Sequence, residues 1–161
     1  PGNLNIYATM NSADQGVYVM DTAFKRRWEF EYLGISFENV EHAQTPLQYG
    51  GYSITWFNFA STINHYLSSV LEVNEDKLIG PYFIKRNELS DNKKVAYKLL
   101  IYLWDDVLRH QRNEFFNEKF STFSDLSKAF ILGTQSIFND ELDELLFSKR
   151  KQNPEESVSY E

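Results

Sequence analysis

The chain has 161 residues, of which 42% are hydrophobic and 16% aromatic, and its formal net charge at pH 7 is −7. This composition indicates a globular protein with a core rich in rings, and the lack of cysteine excludes disulfides, thiolate zinc sites and a cysteine nucleophile. The acidic balance argues against a broad nucleic-acid-binding surface, and no apolar run is as long as a membrane span, so we expect a soluble cytoplasmic protein.

The first forty residues predict two strands with a short helix between them. Residues 4–10 are nearly all apolar, which is typical of a strand covered on both faces in an α/β sheet. The stretch "DTAFKRRW" predicts a short helix with Asp21 as its N-cap. Residues 28–37 alternate large apolar and acidic side chains, a pattern that predicts a half-exposed strand.

The rest of the chain predicts a linker followed by helices. Pro46 and the pair Gly50-Gly51 make residues 39–53 the best linker in the sequence. Apolar residues then recur at helical spacing, and Gly80-Pro81 interrupts the pattern between the first two long helices. The predicted helices cover residues 54–73, 94–117, 123–132 and 139–150, and the polar residues 151–161 are expected to be a flexible tail.

Two strands alone cannot cover a fully apolar strand on both faces. Residues 1–38 are therefore expected to be the C-terminal end of a larger α/β subdomain whose earlier strands lie outside this sequence. The predicted fold class is an α/β remnant followed by a mostly α-helical subdomain at residues 54–150.

Two motifs near the N-terminus carry a resemblance to a known family. The stretch "NLNIYATMNSADQGVYVMDTAFKRRWEF" resembles the C-terminal half of the AAA+ domain of McrB-type restriction NTPases. That pattern is a strand, the turn M-N-T-A-D-R-S, a spacer, D-x-A-L-R-R-R-F and another strand. Weaker similarity follows in "KLIGPYF" and "LLIYLWDDVLRHQRNEFF", which resemble segments of the helical lid of the family. The resemblance implies that the first part is the end of an AAA+ P-loop sheet and the second part its lid.

The resemblance gives Asn11 the role of sensor 1. In such enzymes this side-chain amide contacts the γ-phosphate and helps to position the attacking water. Asp14 matches the acidic position of the family and is a candidate nucleotide-binding residue. Gln15 and Gly16 depart from the usual Arg and Ser, which bears on the strength of the activity and on the preference for GTP. The plain alternative is that Asn11 only shapes a turn at the end of a strand.

The triplet Lys25, Arg26 and Arg27 matches the arginine triplet of the family. An arginine finger from a neighbouring subunit neutralises the charge that develops on the transferred phosphoryl group. Successive helix residues point about 100° apart, so the three cannot all reach one phosphate. We favour Arg26 as the finger, with Arg27 at the same interface or structural and Lys25 facing solvent. The alternative is an ordinary basic helix end.

The lid supplies two further candidates for nucleotide binding. Pro81 and Tyr82, after Gly80, could form a contact like that of sensor 2, although a simple Gly-Pro turn is the better interpretation. The three histidines lie far apart, so no metal site is predicted.

The sequence contains neither G-x-x-x-x-G-K-[ST] nor an apolar strand that ends in the Asp-Glu pair needed to hold Mg²⁺. Whether this segment is an enzyme by itself stays open, and it is expected to bind no cofactor alone. The complete protein is expected to be a nucleoside triphosphatase that uses GTP or ATP with Mg²⁺.

The resemblance also implies partners. They are further copies of the chain in a ring, commonly a hexamer, an McrC-like nuclease subunit, and DNA held by a separate domain. Two other functions stay open. One is a MoxR-like ATPase that remodels proteins, and the other is a non-catalytic AAA+ remnant that serves only for assembly.

Overall fold

The computed structural model describes residues 2–9 and 21–150, and the chain divides into two units, Pro1–Gly34 and Ile35–Glu161. In the first unit the described residues contain one helix, α1 (Thr22–Lys25). It begins as predicted, because the Asp21 carboxylate accepts a hydrogen bond from the Ala23 amide at 3.3 Å.

The strands expected at residues 4–10 and 28–37 are not formed in the part of those segments that the structure describes. Every described side chain of the first unit is exposed, including Leu4 and Ile6 of the apolar run. A strand requires a neighbour for its ladder of hydrogen bonds, and an apolar or alternating pattern cannot supply one by itself. Membership of a larger α/β sheet therefore stays a prediction.

The segment expected to be a linker instead contains a β-hairpin. Strands β1 (Pro46–Tyr49) and β2 (Tyr52–Thr55) pair antiparallel, with Leu47 opposite Ile54. Gly50 and Gly51 form the two-residue turn with φ of 57° and 85°, a conformation that glycine adopts without steric cost. The hairpin is stable because one of its faces is buried. A linker prediction that uses only Gly and Pro content does not detect this burial.

Helix α2 (Trp56–Ser69) follows the hairpin directly. Its N-cap is Thr55, whose hydroxyl accepts a hydrogen bond from the Asn58 amide at 3.2 Å. A 3-10 turn (Glu75–Lys77) and a series of turns then pass through Gly80-Pro81, so the interruption predicted there is confirmed.

The helix predicted at residues 94–117 is broken in the structure. Helix α3 begins as an α-helix (Asn92–Val95) and continues through two π-helical stretches (Ala96–Leu100 and Tyr102–Val107), and the separate helix α4 covers Arg112–Phe115. The Arg112 side chain donates to the Trp104 carbonyl at 2.8 Å and lies over the Trp104 ring, which stabilises the end of α3.

The last two helices lie where the sequence predicts them. Helix α5 (Phe123–Leu132) ends at Gly133, whose φ of 68° is that of a left-handed C-cap. Helix α6 (Asp140–Ser148) is capped by Asn139, which accepts from the Leu142 amide at 2.9 Å. Residues 151–161, expected to be a tail, lie outside the described residues.

One hydrophobic core lies inside the second unit and contains residues from the hairpin and from helices α2 to α6. Rings at its centre include Tyr49, Phe59, Phe115, Phe130 and Phe138, with centroids 5.1 to 6.3 Å apart in neighbouring pairs. No helix in residues 21–150 has the length and hydropathy of a membrane span.

Candidate functional site

Two of the predicted site residues, Asn11 and Asp14, lie outside the described residues. Arg26 and Arg27 lie at the C-terminal end of α1, and both are exposed. Among the described residues, neither forms an ion pair. An exposed guanidinium with no carboxylate partner remains able to bind a phosphate oxygen.

The helical turn around these arginines places them on different sides. The backbone stays helical past Lys25, because the Arg27 amide donates to the Phe24 carbonyl at 3.0 Å and the Trp28 amide to that of Lys25 at 3.3 Å. The rings of Phe24 and Trp28 lie on one side, with centroids 5.8 Å apart. At about 100° per residue, Arg26 points away from these rings, whereas Lys25 and Arg27 lie on either side of them.

The Gly80-Pro81 turn of the second unit is fixed by three side chains. The carbonyl of Pro81 accepts from Trp56 Nε1 at 2.8 Å, and His42 Nε2 lies 3.0 Å from the same oxygen and therefore carries the hydrogen. Asn64 of α2 bonds Ile79 twice, donating to its carbonyl at 2.8 Å and accepting from its amide at 2.7 Å. The turn is thus held against α2 by buried or half-buried groups.

These hydrogen bonds limit which groups of Pro81 and Tyr82 remain available to bind a ligand. Proline has no amide hydrogen, and the Pro81 carbonyl already accepts two hydrogen bonds, so Pro81 can offer a nucleotide only its apolar ring. The Tyr82 side chain is 68% exposed and contacts the His42 ring at 5.5 Å. Tyr82 is therefore the residue of this turn that is available to a ligand.

His42, Trp56 and Asn64 were not identified from the sequence as residues that shape this turn. Each lies far from it along the chain, and a half-buried Asn in the middle of a helix is the only local signal that one of them forms a special contact. The structure assigns them a positioning role.

A second polar network joins the hairpin to α6. Tyr49, fully buried, donates its hydroxyl hydrogen to Asp143 and accepts from the Ile137 amide at 3.0 Å. Burial raises the pKa of Asp143 to about 6, although hydrogen bonds from Tyr49 and Ser136 act in the opposite direction. Burial, followed by the charge of Asp143, raises the pKa of Tyr49 well above its usual value. Tyr49 therefore stays protonated and acts as a structural donor.

The site residues predicted from the sequence are not brought together by the described structure. Arg26 and Arg27 belong to the first unit, and Pro81 and Tyr82 belong to the second. The described residues contain no group of three or more His, Asp or Glu side chains that could hold a metal ion. What they offer to a ligand is an exposed guanidinium pair in one unit and an exposed tyrosine ring in the other.

Comparison with known proteins finds similarity to a protein of Bacillus subtilis. The chain is 43% identical over 152 residues to the "Type II restriction enzyme BsuMI component YdiS" of Bacillus subtilis (strain 168). The matched region covers 91% of this chain but 43% of that protein, so the chain spans less than half the length of this curated relative. No family model matches the chain, and no solved structure matches it.

Proposed function

We propose that this chain is the C-terminal part of a McrB-like AAA+ motor subunit of a DNA restriction system. The observation that carries the proposal is the pair of motifs "TMNSAD" and "DTAFKRRW", which occur in the order and at the spacing of that family. The similarity to a protein named as a component of a restriction enzyme independently supports a role in restriction.

In this proposal Arg26 is the arginine finger and acts on the nucleotide of a neighbouring subunit. Its support is that Arg26 is exposed, forms no ion pair with a described residue and points away from the Phe24 and Trp28 rings. A guanidinium placed in this way can reach outward and stabilise charge on a transferred phosphoryl group. Arg27 belongs to the same interface.

Asn11 is proposed as sensor 1, with Asp14 beside it in the nucleotide site. The nucleotide is GTP or ATP, which carries the transferred phosphoryl group. The bound Mg²⁺ would neutralise charge on the phosphate oxygens. An amide suits the sensor position because it donates to a phosphate oxygen and accepts from water without adding charge. The phosphate loop and the metal ligands would come from residues outside this chain.

The helical unit is proposed as the lid. Its core is closed by its own side chains, and its Ile79–Tyr82 turn is held firmly by Asn64, Trp56 and His42. A rigid lid can present Tyr82 at a constant position toward a nucleotide site. The complete protein would form a ring, commonly hexameric, that drives DNA translocation and cleavage with an McrC-like nuclease, and a separate domain would bind DNA.

The test uses the complete protein and the variant Arg26→Ala. We expect GTP or ATP hydrolysis to fall by roughly 10³-fold or more, because a trans-acting arginine contributes about 10³ to 10⁵ to turnover. Nucleotide binding should change little. The matched control is Arg86→Ala, which removes an exposed arginine of the helical unit and should leave hydrolysis unchanged.

Mixing experiments then test whether Arg26 acts in trans. Rings that combine Arg26→Ala subunits with subunits defective in their own metal site should recover part of the activity, because an intact finger then faces an intact metal site. Hydrolysis by Arg26→Ala at the level of the control variant would refute the finger role, and failure of rescue would refute action in trans.

The assembly-module function is the second candidate, and the departure at Gln15 and Gly16 favours it. It predicts that the complete protein forms rings but hydrolyses neither GTP nor ATP. A MoxR-like remodelling ATPase would instead hydrolyse nucleotide without any dependence on DNA or on a nuclease subunit. A phosphate-release assay with both nucleotides, with and without DNA, separates the three functions.

A further inference from the structure

The second unit carries an open groove of about 1060 Å³ along helix α2. Its lining comes from residues 35–38 with Ala43 and Gln44, and from residues 73–75 with Leu78. Helix α2 contributes Phe57 together with three polar residues, Ser61, Asn64 and Ser68. We refer to this groove as the α2 groove.

The described residues that line the α2 groove are a mixture of apolar and polar side chains, and their charges have a single sign. Phe57 is 40% exposed and contacts the Phe37 ring at 5.5 Å, so aromatic surface remains open at one end. Among the described residues that line the groove, the charged side chains are Glu38 and Glu75, and none is a lysine or an arginine. Both glutamates are exposed and form no ion pair with any residue in the described ranges. Such a groove favours a partner with large rings and adjacent positive charge.

This chain itself presents a surface of that chemistry. Phe24 and Trp28 form an exposed aromatic pair, and the helical turn places Lys25 and Arg27 on either side of it. The two basic side chains are exposed, and neither forms an ion pair within the described part of the chain. We refer to residues Phe24–Trp28 as the basic aromatic turn.

We propose that the α2 groove binds the basic aromatic turn of a second copy of the chain. Phe24 and Trp28 would pack against the apolar side chains that line the groove, and Lys25 and Arg27 would face Glu38 and Glu75. Because one copy contributes the turn and the next contributes the groove, the contact is head-to-tail and can be repeated from copy to copy. Arg26 lies on the opposite side of the turn, so this contact leaves it available.

The expected association is weak. Each large ring buries about 150 to 250 Å² at most, so the two rings with their charged neighbours form an interface below the standard size. Interfaces of that size are typical of transient complexes, and we expect a dissociation constant on the order of 10 to 100 μM. The charges should act mainly on specificity and on the salt dependence of binding.

The test measures the mass of the chain by sedimentation equilibrium, without nucleotide, from about 10 μM to about 1 mM, a range that brackets the expected affinity. The turn variant is Lys25→Glu with Arg27→Glu, and the groove variant is Glu38→Lys with Glu75→Lys. Each reverses the charge on one side of the contact. The control is Asp106→Lys with Glu118→Lys, which makes the same charge change as the groove variant at exposed positions outside the groove.

We expect the mass of the wild type and of the control to rise with protein concentration. For each charge-reversed variant alone, the association constant should fall by at least tenfold. A mixture of the turn and groove variants should associate again, because opposite charges then meet across the contact. A wild type that stays monomeric to about 1 mM, a groove variant that associates like the control, or a mixture that stays monomeric would each overturn the proposal. Because Arg26 is unchanged and no nucleotide is present, these outcomes are independent of the hydrolysis test above.

Discussion

The two units of the chain differ in what stabilises their residues. In residues 35–150 a core of large rings is surrounded by capped helices and a paired hairpin, whereas the described residues of 1–34 leave every side chain exposed. Phe24 and Trp28 of the first unit are as apolar as the rings of the core. Composition alone therefore does not show which aromatic residues stabilise this chain and which are available to another molecule.

The sharpest test of this difference replaces one tryptophan in each unit by alanine. Trp56 is fully buried and donates to Pro81, and its loss should lower the free energy of unfolding by about 3 to 5 kcal/mol through a cavity and the loss of one of the two hydrogen bonds to that carbonyl. Trp28→Ala should change it by less than about 0.5 kcal/mol, because its ring is exposed. Urea unfolding followed by circular dichroism measures both. Equal losses for the two variants would remove the distinction between the units.

A smaller effect is expected where Asn64 holds the Gly80-Pro81 turn. Asn64→Ala leaves the amide and carbonyl of buried Ile79 without their side-chain partner. The free energy of unfolding should fall by about 2 kcal/mol, a net value that includes the small gain from the higher helix propensity of alanine. Ser68→Ala, an exposed position on the same helix, is the matched control and should cost less than about 0.5 kcal/mol. Thermal unfolding of both proteins gives the comparison, and a loss no larger than that of the control would show that the turn does not depend on Asn64.

The smallest expected effect depends on pH. Burial raises the pKa of Asp143 to about 6, so the folded state binds a proton more tightly than the unfolded state, whose carboxyl has a pKa of about 4. The stabilisation from this group is complete below about pH 4 and is lost as the pH rises through 6. Asp143→Asn, which keeps an acceptor for Tyr49, should therefore be more stable than the wild type at pH 7.

At pH 7 the free energy of unfolding of Asp143→Asn should exceed that of the wild type by about 1 kcal/mol. This gain is smaller than the full pKa shift would give, because the carboxyl is partly solvated. The gain should shrink as the pH falls to about 4.5. Asp106→Asn, at an exposed position, is the control and should show no such change. A gain of the same size at both pH values, or a loss at pH 7 only, would contradict the burial of this carboxyl.

The helices with strong local signals were predicted correctly from the sequence. Asn139 and Asp21 act as caps, and α5 has the predicted boundaries, because these features depend on residues within one or two turns. The hairpin was missed, since its strands are stabilised by burial of Leu47 and Tyr49 against distant helices. The break before α4 was missed because helical periodicity continues across it.

The candidate site was predictable only as far as local motifs allow. The triplet at residues 25–27 could be identified because it resembles a family motif, and the structure adds that its members point in different directions around an aromatic pair. The groove charges Glu38 and Glu75 belong to separate segments that only the fold brings to one groove. No sequence pattern connects such positions.

Hydrogen exchange on the full chain tests the contrast between the two units most directly. Amides inside α2, α5 and α6 should exchange only with global unfolding, because their hydrogen bonds lie on a closed core. Amides of residues 22–34 should exchange faster by several orders of magnitude at low protein concentration, since nothing among the described residues buries them. Equal protection of residues 22–34 and of α2 at that concentration would contradict the account.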